Sequence, residues 1–200
     1  STKDFALTGA AGITMKSVNA NINGEAYTGA VDYEVANTAA AAVKIGTAAT
    51  SIKAIGADSS VALTVDADAA GGTAGALTIK DAGALAGDIT VTGIESNVTI
   101  ANAFTGTGDI SLTTGDASMT LALGTSTTGT RALDLSASGA AKTVTLTGSD
   151  AVAITSATTD INAAAYAGAV TAELTNTDDM TFQVGTAATS IAVKGANGAK

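Results

Sequence analysis

The acidic side chains are where this sequence has the means to do chemistry. "DADAAGG" (66–72) carries Asp66 and Asp68, two positions apart, so an extended chain turns both carboxylates to one side. "TNTDDM" (175–180) adds Asn176, Asp178 and Asp179. Carboxylates, amide oxygens and main-chain carbonyls in glycine-rich turns are the hard oxygen donors that calcium takes. Asp66, Asp68, Asp178 and Asp179 are therefore the calcium candidates. The sequence contains neither an EF-hand loop nor the G-G-x-G-x-D nonapeptide of calcium-loaded β-rolls. The competing reading makes these residues solvated turn carboxylates that keep sheet edges from pairing with other chains. Asp109 of "GTGD" and Asp116 of "TTGD" are expected to end adjacent strands.

Catalytic arrangements fare poorly. With no histidine and no cysteine, the familiar nucleophile–base pairs are missing, and no G-x-S-x-G elbow replaces them. Lys16 and Ser17 are adjacent without the spacing of a serine–lysine dyad, and "GTAATSIK" (46–53) lacks the order of a phosphate loop. Paired carboxylates of a glycosidase want aromatic sugar platforms, and three Tyr and three Phe leave few. The chain is not expected to be an enzyme. Its net charge of −9 disfavours nucleic acid and anionic membrane surfaces as partners. No apolar run reaches the roughly 18 residues of a membrane helix, so membrane insertion is not expected. "STKDF" opens without a basic leader and reads as the cut edge of a longer chain. "NVT" (97–99) matches the N-glycosylation acceptor, a match that a threonine-rich chain gives by chance.

The elements that would position these residues are short β-strands. "VALTV" (61–65), "ALTIK" (76–80), "DITVTG" (88–93), "SMTLAL" (118–123) and "KTVTLTG" (142–148) alternate with period two between Gly, Asp, Asn or Ser. Alanine supplies much of the 46% hydrophobic content and aromatics are 3%, which suits a thin interior of stacked aliphatics. The expected fold is all-β, a parallel β-solenoid of irregular coils with three strands per coil. Tandem β-sandwich modules are the alternative, because both alternate alike.

Residues 22–56 align without gaps on 161–195, about half of the positions being identical. Shared anchors are Tyr27/Tyr166, Gly29/Gly168, Asn37/Asn176 and "GTAATSI" at 46–52 and 185–191. A degenerate third unit lies at about 100–135, with Phe104, Gly106 and Gly124-Thr125 at the matching places. We expect the glycines to supply a positive φ or a close backbone approach. The aromatics are expected to pack over a coil edge, with carbohydrate stacking as the alternative. One elongated repeat-containing domain, 1–200, is the expected organisation.

"VTGIESNVTI" (91–100), "INAAAYAGAVTAEL" (161–174) and "VGTAATSIAVKGANG" (184–198) resemble the repeats of secreted S-layer and RTX-type surface proteins of Gram-negative bacteria. The resemblance implies an exported, calcium-assisted β-solenoid, a structural segment of a self-assembling lattice at the bacterial cell surface. Its partners would be copies of itself in a lattice or filament, with surface polysaccharide as a further candidate. The stalk or passenger of a secreted adhesin is the alternative. Where that family often carries Gly-Ala-Asp before the strand, this chain has "GTAATSI", so alanine and threonine replace the ligand aspartate at both steps. Asp58 of "GADSS" (56–60) is the nearest surviving equivalent, and the resemblance makes it a further calcium candidate.

Overall fold

In the computed structural model the described residues are 3–18, 20–36, 40–54, 62–69, 73–80, 88–101, 109–115, 117–124, 131–138, 142–157, 159–176 and 179–195. They form nineteen strands and no helix. Ten strands make one sheet: β1 (Lys3–Ala6), β3 (Ala20–Asn23), β5 (Ala41–Lys44), β7 (Leu63–Asp66), β9 (Ile89–Ile94), β11 (Ile110–Thr114), β13 (Arg131–Asp134), β15 (Val152–Ala157), β17 (Val170–Asn176) and β19 (Thr189–Gly195). Nine make the other: β2 (Ile13–Val18), β4 (Val31–Val35), β6 (Thr50–Ala54), β8 (Leu77–Lys80), β10 (Val98–Ile100), β12 (Met119–Leu123), β14 (Thr143–Gly148), β16 (Asp160–Asn162) and β18 (Phe182–Gln183). Odd strands pair only with odd and even only with even among the described residues, always in parallel. The chain thus winds as a β-solenoid, and tandem sandwich modules are not what it forms. Each coil carries two strands rather than the expected three. At about 4.8 Å per strand, the ten-stranded ladder is about 43 Å long.

Period-two alternation explains the layers. Along β7 and β8 every other side chain is buried, and the residues between face solvent. Because pairing is in register, like stacks on like: Val65, Val91, Leu112, Leu133, Ile154 and Ala172 follow one another through the interior. Burying one such aliphatic side chain stabilises the fold by about 1.5–3 kcal/mol. The core is the narrow space between the two sheets, which is why a chain so poor in aromatics fills it. Of "TAAAAV" (38–43), a helical sequence on alanine content alone, Ala41, Ala42 and Val43 lie in β5 as strand.

The repeat acquires an unexpected meaning. Its first copy spans β3 to β6 and its second β16 to β19, thirteen strands later. Thirteen is odd, so every strand of the second copy lies in the opposite sheet from its counterpart. The same sequence is read on both sides of the rod, and the two sheets accept it equally.

Candidate functional site

Asp66 ends β7, and the extended chain continues through Ala67 and Ala69, which are buried, with Asp66 and Asp68 on the outer side. The Asp68 N–H donates to Asp66 Oδ1 at 3.3 Å, and Asp68 rests against Gly93, whose φ of 65° lets the next coil pass close by. Lys44 Nζ, one coil away, reaches Asp66 Oδ2 at 3.2 Å. That hydrogen bond and the carboxylate charge hold the Lys44 amine above its ordinary pKa. Asp179 is exposed on the approach to β18, the end strand of the other sheet, far along the rod from Asp66. Asp58 and Asp178 lie outside the described residues, as do Asp116, Phe104 and Gly106.

Calcium takes six to eight oxygens. Among the described residues no group of three or more acidic, His or Cys side chains gathers to hold a metal. Asp66 and Asp68 offer two carboxylates, one already held by an ammonium group. They do not fit an intramolecular calcium cage.

The repeated corners are built alike. Tyr27 and Tyr166 are buried, and each phenol donates to a carbonyl of the preceding coil, that of Ala11 and that of Asp150. The N–H of the next residue donates to Gly9 and to Gly148 respectively, at 2.9 and 2.8 Å. Gly29 and Gly168 lie against the backbone at 10–11 and 149–150, leaving no room for a Cβ. Close approach, not positive φ, is what these two glycines provide. Buried rings offer no stacking face, so the carbohydrate alternative for Tyr27 and Tyr166 is closed. Gly46 and Gly185 of the two "GTAATSI" steps fit over the carbonyls of Tyr27 and Tyr166 in the same manner, and Gly124 over that of Ala101.

The positive-φ role falls instead to Gly9 (122°) and Gly148 (111°), which bridge to the two tyrosines. They stand at the same spacing of 139 as Ile22 and Ile161, in "LTGAAGI" (7–13) and "LTGSDAV" (146–152). Extending the alignment backwards at that spacing is the signal that would have found them.

The second corner holds the one charged pair placed deep inside the described residues. Arg131 sits at an inward position between Ile110 and Val152, and its Nε donates to Asp150 Oδ2 at 3.0 Å; the side chains are 2% and 4% exposed. At the other end of β11, Thr114 Oγ1 and Ser138 Oγ are 2.7 Å apart in another buried polar contact.

On the outer side, corner side chains serve the backbone. Asn21, Asp88, Asn97 and Asp160 each accept an N–H from the next coil, at 2.7–3.0 Å. Asn97 of "NVT" thus has a structural duty, to Thr120. Asp109, at the start of β11, donates its N–H to Asp88 at the start of β9. Across the ten-stranded sheet, Thr64, Thr90, Ser111, Ala132, Ala153 and Thr171 form one outward row of small uncharged side chains. Asp66, Asp134 and Glu173 run beside it, two residues further along their strands. A shallow groove of about 460 Å³ crosses the other sheet near Ile13, Ser51 and Lys80, where Lys80 and Asp32 are 3.7 Å apart.

Comparison of the chain with protein-family models, with curated proteins and with solved structures gave no match.

Proposed function

We propose that this chain is a structural module of a bacterial cell-surface layer, exported and assembled with copies of itself rather than acting on a substrate. The observation that carries this reading is the outward row from Thr64 to Thr171, small and uncharged over six successive coils. The row itself meets a neighbour without stripping water from charges, whose desolvation is costly. Each coil adds a weak contact, and contacts along a rigid rod act together. Calcium's place is between rods rather than within one, where it relieves repulsion between the facing carboxylates of chains that each carry a net charge of −9. Resemblance to S-layer and RTX-type repeats supports the same assignment. An adhesin stalk would use the rod as a spacer without lateral order.

Negative-stain electron microscopy of the purified chain, with calcium and with calcium chelated, tests the proposal. Ordered sheets that need calcium support it. Isolated rods in both conditions refute the lattice and favour the stalk.

A further inference from the structure

The two broad faces of the rod carry different charges beside similar rows of small side chains. On the ten-stranded sheet the row from Thr64 to Thr171 has exposed Asp88 and Asp109 on one side, each one residue ahead of its strand, β9 or β11. Asp66, Asp134 and Glu173 lie on its other side. On the nine-stranded sheet the pairing puts Asp32, Ser51, Thr78, Thr99, Ala122 and Thr147 in one row. Ahead of that row the positions from Ala30 to Thr145 are uncharged. Beyond it stand Glu34 and then Lys53 and Lys80, paired in register on β6 and β8 and exposed.

We propose that the ten-stranded face of one copy docks on the nine-stranded face of a second, displaced without rotation, so that Asp88 and Asp109 meet Lys53 and Lys80. The inference rests on the reading of the chain as a self-assembling module, and names the surface that its outward row meets. Odd and even strands cross the rod in opposite directions, so odd strands start at the edge where even strands end. Translated copies therefore bring the aspartate side of one row beside the lysine side of the other. Each pair sits on neighbouring strands about 4.8 Å apart, and a slide of two coils, about 10 Å, aligns them.

That one slide satisfies the rest of the face. Thr64, Thr90, Ser111, Ala132, Ala153 and Thr171 come opposite Asp32, Ser51, Thr78, Thr99, Ala122 and Thr147, short side chains against short ones. Asp66, Asp134 and Glu173 come opposite Ala30, Asn97 and Thr145, and Glu34 opposite Ala62, so these carboxylates do not face one another. Lys194 comes opposite Asp160, a further pair of opposite sign. Two ten-stranded faces brought together would instead set acids against acids. Six coils of five-residue strands make a face of about 29 by 17 Å. Two such faces bury about 1,000 Å² together, the low end for a specific complex. A pair is therefore weak, and because the contact is heterologous each copy keeps a face for the next, giving open stacks.

Charge exchange tests the contact. One variant carries Lys53→Glu with Lys80→Glu; the other carries Asp109→Lys with Asp88→Asn, which keeps the oxygen that accepts the Asp109 N–H. Lysines supply the cations here, so sedimentation velocity is run with calcium chelated. The unsubstituted chain should gain mass with concentration at low salt and lose that gain at high salt. Each variant alone should stay at the mass of one chain, with the parental far-UV circular dichroism. Mixed in equal amounts they should associate again, because each face then meets its opposite; misfolded variants cannot imitate that recovery. A mixture of folded variants that stays single overturns the inference, as does either variant that associates as the parent does. A parent that is single under chelation yet forms arrays with calcium overturns this contact and leaves the self-assembly reading standing; single rods in both conditions overturn both.

Discussion

Removing the carboxylate of Asp150 tests the interior of the second corner most severely. Asp150→Ala takes the Asp150 carboxylate away from the Arg131 guanidinium, which stays inside the ladder between Ile110 and Val152. Truncating one member of a buried ion pair costs about 3–5 kcal/mol. With a urea slope of about 3 kcal/mol per M, the unfolding midpoint falls by about 1–1.7 M. The double variant Arg131→Leu with Asp150→Ala puts a branched aliphatic into the ladder. It also gives the corner the alanine that the first copy has at Ala11. Replacing a buried pair by apolar groups is often neutral or favourable, so the double variant should lie within about 1 kcal/mol of the parent or above it. The coupling between the two sites should then be at least about 2 kcal/mol. Tyrosine fluorescence is a suitable local signal, because the Tyr166 phenol bonds the Asp150 carbonyl; far-UV circular dichroism follows the strands. An Asp150→Ala protein within about 1 kcal/mol of the parent would refute the reasoning.

The remaining expectations are smaller. The Tyr33 hydroxyl is buried without a hydrogen-bond partner among the described residues, so Tyr33→Phe should stabilise the fold by about 1 kcal/mol in urea titrations. Burial, and then the charge of Tyr27, push the Tyr33 pKa up to about 12, from about 10 in an unfolded chain. Folding keeps the phenol neutral, so its contribution is complete below about pH 10 and is lost between there and about pH 12. Alkaline titration should show that loss, diminished in the Phe variant; Tyr166 is shifted in the same direction by its own burial. Gly148→Ala should cost about 2 kcal/mol or more, since φ is 111° and a Cβ would strike the Leu123 carbonyl. Gly12→Ala, whose nearest neighbour would be at 3.8 Å, should leave the thermal midpoint nearly unchanged.

Much of the fold is legible in local pattern. Alternation in "LTVD" and "LTIK" names the buried residues correctly, and the glycine and asparagine punctuation marks the corners. What alternation cannot convey is how many strands close a coil, since two-strand and three-strand coils bury the same phase. That is why three were expected and two are found. Arg131 carried a readable signal: in "RALDL" (131–135) it shares its phase with Leu133 and Leu135, which places it inside. Its partner Asp150 carried none, because the pairing is made 19 residues away across a coil. The same distance problem hides the engagement of Asp66. A carboxylate that reads as a candidate ligand in "DADAAGG" is met by Lys44 from the neighbouring coil.

The odd spacing of the repeat bears on what a rod of this kind offers to neighbours. Had the copies been an even number of strands apart, both corners would stand on one edge, and the motif would present a one-sided patch suited to a single ligand. At thirteen strands they stand on opposite edges: Thr47 of the first "GTAATSI" step is exposed on one side and Thr186 of the second on the other. Two like surfaces facing outward in opposite directions let one molecule touch two neighbours by the same chemistry, which is the requirement for extending an array. The corners and the strand starts that leave them hold the repeat most closely, "GTAATSI" running into β6 and β19 and being identical in both copies while β5 and β18 differ. Core strands need only aliphatics of suitable size, whereas Gly46 and Gly185 are demanded by backbone passing overhead. Rods that associate through one edge alone in micrographs would break this argument.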